Sequence, residues 1–388
     1  MEDFFGKLGE LMFPQVRGQA VPSRPWAYSP ALDQLRFFAA TLVMVFHFRP
    51  VLEIPPHTHG LRFFIENWVR HGFMGVSLFL VLTGFLFTMN YDLGARPINY
   101  KPFIIKRFLR IAPMYVLMML LLQTQMRATW TVDSFLTFLL FQVNTGNPIT
   151  GFGHDVLPIG PIWTIAVEVQ FYLIFPLVLA AFPPKNWRRT LGMLVVLNTL
   201  RLMLSWYTLG PDAYFNIYHT MFGRFDQFLI GMQAAYVFKL VGPWLTRRRA
   251  YGLAVLSIAL LTVWINHVGE RTYPGNIFSF TVEAVCFAGL IVGFHAGGGI
   301  GTLFGKCAQK LGEASYSVYL LHLFVGVVLM QHFGNSLPQW LSGPVVKPVV
   351  LVMLPSWMLA LMTYRIIELP FMHLGRGHLS QGRARGQN

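Results

Sequence analysis

Long apolar runs recur along this chain, and one of them, Ile165 to Phe182, alone has the length that a bilayer core demands. A hydrocarbon layer of roughly 30 Å takes about 20 apolar residues as a helix, and lipid offers no partner to a backbone group that the helix leaves open. The chain is therefore expected to be an all-α, polytopic membrane bundle. Composition agrees. Of 388 residues 12% are charged and 15% aromatic, whereas a soluble domain carries about 25% charged residues. No cleavable leader is expected: Glu2 and Asp3 make the start acidic, and the first long apolar run begins only near Leu32. Phe4, Phe5, Leu8, Leu11 and Met12 share a helical face, which predicts a short interfacial helix within a cytoplasmic segment 1–30.

Apolar runs begin near residues 31, 73, 111, 134, 165, 190, 221, 250, 276, 313 and 346. The fourth, Ser134 to Val143, is too short to span and is expected to be re-entrant or interfacial. With it removed, about ten spans remain, and the basic clusters at residues 101–110, 185–189, 239–249, 306–310 and 376–385 fall on one side. That side is cytoplasmic by the positive-inside rule, which also places both termini there. The net charge of +14 then reflects topology and not nucleic acid. Residues 31–371 form one membrane domain, with neither an internal repeat nor a linker. Residues 372–388 are expected to be a disordered basic tail, with no soluble module after it. The two cysteines, Cys286 and Cys307, offer neither a disulfide framework nor a metal spacing, and no resident cofactor is expected.

Ionisable residues inside spans are costly and mark candidate sites. Arg36 and His47 lie eleven residues apart in the first span. On a helix that is three turns plus about 20°, so they share a face with a separation of roughly 16 Å. The plain alternative is that Arg36 snorkels to headgroups and His47 caps the outer end. Lys106, Arg107 and Arg110 enter the third long run. They serve either as a topological anchor or as a binding site for a phosphate-bearing donor, which guanidinium forks suit. Glu168, in the segment Pro161 to Tyr172, lies at the outer half of its span, where it is expected to meet His47 and raise its basicity. Trp163, Tyr172 and Asp33 are candidate substrate contacts. Arg224 and Asp226, two residues apart, do not face one another on a helix and are expected to pair elsewhere. Glu368 is expected beside the Arg107 and Arg110 patch.

Seven segments, in order from residue 32 to 371, resemble the acyltransferase 3 family: LDQLRFFAATLVMVFHF, GVSLFLVLTGFLFT, KRFLRIAPMY, PIWTIAVEVQFYLIFPL, GRFDQFLIGMQAA, LGEASYSVYLLH and YRIIELPF. The resemblance implies acyl-CoA (acetyl-CoA foremost) as donor and a carbohydrate or glycolipid acceptor such as lipopolysaccharide or exopolysaccharide. It also implies a place among the lipids of a bacterial inner membrane. Arg36 and His47 match its Arg-x10-His signature, His47 being the catalytic residue. Arg107 and Arg110 match its donor-linked basic motif, and Glu168 the acid of its Trp-Ser-x-x-x-Glu segment. Thr164 stands where Ser is usual, Ser77 where Asp is common, and Thr83 in place of a frequent Ser. The rival class is a transporter or flippase of a lipid-linked sugar, whose signs would be repeated halves with broken spans. The sequence leaves the oligomeric state open.

Overall fold

The computed structural model describes residues 29–49, 60–125, 131–144, 160–206, 217–268, 275–338, 340, 343 and 346–375. The interfacial helix expected around Phe4 to Met12 lies outside them. Among the described residues every element is helical. In chain order these are α1 (Pro30–His47), α2 (Gly60–Arg70), α3 (Gly75–Asn90), α4 (Tyr100–Gln125), α5 (Val132–Leu139), α6 (Trp163–Ala181), α7 (Trp187–Leu204), α8 (Met221–Val241), α9 (Arg247–Val268), α10 (Ser279–Gly297), α11 (Leu303–Glu313), α12 (Ser315–Phe333) and α13 (Val346–Gly375). The amphipathic helices α2 and α11 were not anticipated from the apolar runs. The last helix continues through Gly375, into the segment expected to be a tail; the rest of that tail is not described.

Among the described residues, six helices are by length and composition able to cross a membrane: α3, α6, α9, α10, α12 and α13. Their burial differs. In α3, 89% of the most apolar stretch is buried inside the protein, against 28% in α9. A helix apolar all round belongs in the centre of a bundle, and α3 holds that place, packed on α1, α8 and α10. Small residues allow the closest approach. A methyl group on Gly84 would strike the Phe228 carbonyl, and one on Gly231 the Val81 carbonyl, so α3 and α8 meet backbone to backbone.

Four further helices are long but carry charge: α1 with 18 residues, α4 with 26, α7 with 18 and α8 with 21. The structure pairs part of that charge internally. Arg36 bonds Asp33 one turn back. Arg201, fully buried, forks onto Asp226 through two hydrogen bonds of 2.9 Å, and Thr281 donates to the same carboxylate at 2.5 Å. Asp226 thus pairs elsewhere, as the sequence requires. Its neighbour Arg224 donates to the Tyr218 carbonyl at 2.9 Å and lies over the Tyr218 ring at 3.8 Å.

Helix α5 matches the short run after residue 131. Thr131 caps it by accepting from the Ser134 amide at 3.1 Å. Tyr115 of α4 donates to the Phe138 carbonyl at 3.0 Å. At eight residues it is about 12 Å long, which cannot cross a bilayer core. In α13 two π-helical turns, Val349–Met353 and Tyr364–Glu368, interrupt the regular ladder. The second brings Glu368 against Ser317, which donates to it. Such turns often mark functional places in helices.

Candidate active site

Helices α1, α3, α4, α6 and α12 enclose a cavity of about 160 Å³. Thr164, Glu168 and Tyr172 recur every four residues on α6, so one face of that helix looks into it. Arg107, Arg110 and Ile111 line it from α4, and Arg36 from α1. Thr83 and Asn90 contribute polar groups from α3, and Ser315, Tyr316 and Tyr319 from α12. Three guanidiniums therefore share one small space with one carboxylate.

Specific contacts hold these groups. Thr83 donates to Glu168 Oε1 at 2.9 Å, and Tyr172 also hydrogen-bonds this carboxylate. The Arg107 guanidinium lies 4.1 Å from the Phe87 ring centre and 5.8 Å from that of Phe103. Stacking of this kind holds the planar fork in place with its N–H groups still available. Glu368, from the π-turn of α13, lies near enough to Arg110 to act on its charge. Tyr316 donates to the Ile111 carbonyl at 2.9 Å, two residues before Pro113 breaks the α4 ladder. At the far end Thr164 bonds the Tyr319 hydroxyl at 2.9 Å and the Pro161 carbonyl at 2.9 Å.

His47 is half-buried and does not belong to the cavity lining. Its Nδ1 lies 2.9 Å from the Val43 carbonyl and 3.1 Å from Nε2 of His322, which is 1% exposed. The two imidazole centres are 5.1 Å apart. Tyr319 links this pair to the cavity: it lines the cavity, and its ring centre is 6.2 Å from that of His322.

The structure thus brings together Arg36, Arg107, Arg110, Glu168 and Tyr172 from the sequence reading. The expected meeting of His47 with Glu168 is corrected. Glu168 bonds Thr83 and Tyr172, and the group set against His47 is another imidazole. The reason is depth along α6: Glu168 lies one turn beyond Thr164, on the other side of the Thr164–Tyr319 contact from the histidines. Lys106 is exposed and outside the lining, because the turn that aims Arg107 and Arg110 inward turns it outward. Trp163 is also outside, against Tyr218 at 5.1 Å and His219 at 4.7 Å. Asp33 is 3% exposed and serves Arg36. Ser77 donates to Glu283 Oε2 at 2.6 Å, so a carboxylate still stands beside the position where Asp was expected.

Sequence reasoning named His322 without giving it a role. The usable signal was cost: an ionisable imidazole near the middle of α12 is expensive to bury and marks a candidate site, as His47 does at the outer end of α1. Thr83 and Tyr319 had no comparable signal, since hydroxyls are common in membrane helices.

The chain matches the family described as "Acyltransferase domain" over residues 29–363. Among curated proteins it is 26% identical over 382 residues to Bacillus subtilis YrhL, provisionally named a peptidoglycan O-acetyltransferase; that alignment covers 90% of this chain and 55% of YrhL. It is 24% identical over 376 residues to peptidoglycan O-acetyltransferase OatA of Listeria monocytogenes, covering 90% of this chain and 56% of OatA. The chain thus spans little more than half the length of these relatives. No solved structure matches it.

Proposed function

The chain belongs to the acyltransferase 3 family, and on that premise we propose that it is a membrane O-acyltransferase moving an acyl group, acetyl foremost, from acyl-CoA to a carbohydrate hydroxyl. One observation carries the donor assignment: Arg36, Arg107 and Arg110 converge with Glu168 on a single cavity. Fixed guanidiniums suit phosphate. At about 160 Å³ the cavity is smaller than the roughly 300–1,000 Å³ of a drug-sized pocket. It suits a slender pantetheine arm, with the nucleotide phosphates at Arg107 and Arg110. The acyl end would then arrive at Tyr319, next to the histidine pair.

His47 is the proposed general base. It takes the proton of the acceptor hydroxyl, the oxygen attacks the thioester carbonyl, the C–S bond breaks and the proton passes to the departing CoA sulfur. General-base help is worth about 10²–10⁴-fold. His47→Ala is therefore expected to abolish acylated glycan, read by mass spectrometry of cell-surface material, while the protein still accumulates in the membrane. Wild-type acylation by that variant overturns the assignment.

The relatives' names favour a peptidoglycan sugar as acceptor over lipopolysaccharide or exopolysaccharide. The same mass spectra decide among them by which glycan loses its ester. We count ten spans by adding α1, α4, α7 and α8 to the six apolar helices. At 1.5 Å per residue these four run from about 27 to 39 Å, and the ion pairs Arg36–Asp33 and Arg201–Asp226 neutralise part of their charge. Both termini are assigned to the cytoplasm on loop charge. The bacterial origin of the relatives supports a cytoplasmic-membrane location. Cysteine labelling of the loops from each side tests this count.

A further inference from the structure

We infer that His322 is a positioning residue that orients the His47 imidazole and decides which of its nitrogens is basic; this rests on His47 being the base proposed above. His322 Nδ1 lies 2.8 Å from the Tyr319 carbonyl and 3.1 Å from the Val318 carbonyl. Carbonyls only accept, so Nδ1 holds the proton and neutral His322 presents Nε2 as an acceptor. That Nε2 is 3.1 Å from His47 Nδ1, which also stands 2.9 Å from the Val43 carbonyl. Acceptors therefore face His47 Nδ1 from both α12 and α1. It must be an N–H, and neutral His47 keeps its lone pair on Nε2.

The consequence appears during transfer. When His47 Nε2 takes the acceptor's proton, the ring becomes an imidazolium. Its Nδ1–H bond to His322 then becomes charge-assisted and roughly twice as strong as a neutral one. The Nε2 proton next passes to the CoA sulfur as the C–S bond breaks, and the pair returns to its starting tautomers. An imidazole here does the orienting that a carboxylate does in other histidine sites.

The test uses full-length protein in membranes that carry the native acceptor, with labelled acetyl-CoA titrated to separate kcat from KM. His322→Leu is expected to lower kcat at least about tenfold, a part of the roughly 10²–10⁴-fold that general-base catalysis supplies, with the KM for acetyl-CoA unchanged. His322→Phe replaces it if the leucine variant does not accumulate. His322→Gln, whose amide oxygen can accept from His47 Nδ1, is expected to recover most of the lost rate. Wild-type kcat in His322→Leu or His322→Phe, beside an inactive His47→Ala, overturns this inference and leaves His47 standing. Equal losses in the leucine and glutamine variants also overturn it. Turnover by His47→Ala instead removes the reading on which it rests.

Discussion

Replacing Arg107 with alanine is expected to weaken CoA binding by about 10- to 150-fold. The figure follows from the loss of one charge-assisted hydrogen bond, worth about 1.5–3 kcal/mol, at about 1.4 kcal/mol per tenfold. Two features favour the upper half of that range. The guanidinium is held 4.1 Å over Phe87, so little side-chain freedom is lost on binding. It also faces a narrow cavity, where salt screens less than at a surface. Isothermal titration of CoA into protein in lipid nanodiscs reads the change at fixed salt. Arg107→Lys keeps the charge without the fork or the stack, and is expected to fall between wild type and alanine. Lys106→Ala supplies the control, because Lys106 is exposed and outside the lining; its effect is expected to stay within about 0.5 kcal/mol, as for ordinary surface substitutions. Unchanged CoA affinity in a folded Arg107→Ala, Arg110→Ala double variant would return both residues to the role of topological anchor. A Lys106→Ala effect as large as that of Arg107→Ala would also refute the reasoning.

Asp226→Leu strands a fully buried Arg201 and is expected to cost about 3–5 kcal/mol, whereas adding Arg201→Met should restore most of it, because replacing both partners is often neutral; thermal unfolding in detergent checks both. Gly231→Leu drives a side chain into the Val81 carbonyl and is expected to lower the yield of monodisperse protein on size exclusion far more than Gly192→Leu, where nothing lies within 4 Å. Thr83→Ala removes the 2.9 Å hydrogen bond to Glu168, leaving Tyr172 as its partner, and is expected to cost about 1 kcal/mol in the same melt.

Periodicity and loop charge made the helical bundle legible before any coordinates. They do so because a bilayer forbids alternatives: an apolar run of sufficient length has only one way to satisfy its backbone. The face shared by Arg107 and Arg110, and the four-residue step from Glu168 to Tyr172, were equally readable, since both are local helix geometry. What failed was the long-range pairing. Placing Glu168 against His47 assumed that two groups in the outer half of the bundle must meet. Depth along a helix resolves only to about a turn, or 5.4 Å, and that uncertainty is as large as the step from Thr164 to Glu168. His322 sits one turn farther along α12 than Tyr319 and took the place that the carboxylate was expected to fill. Helix α11 escaped notice because it is too short and too charged to register as an apolar run. The Arg201–Asp226 pair was half visible: Asp226 needed a partner, but nothing local pointed to α7.

A structure with a non-hydrolysable acetyl-CoA analogue bound tests the whole account most directly. The expected density threads the cavity between α4 and α6, with phosphate oxygens within hydrogen-bond reach of Arg107 or Arg110 and the acyl carbonyl beside Tyr319 and the His47–His322 pair. Analogue bound elsewhere, with the cavity collapsed or filled by lipid, would contradict it.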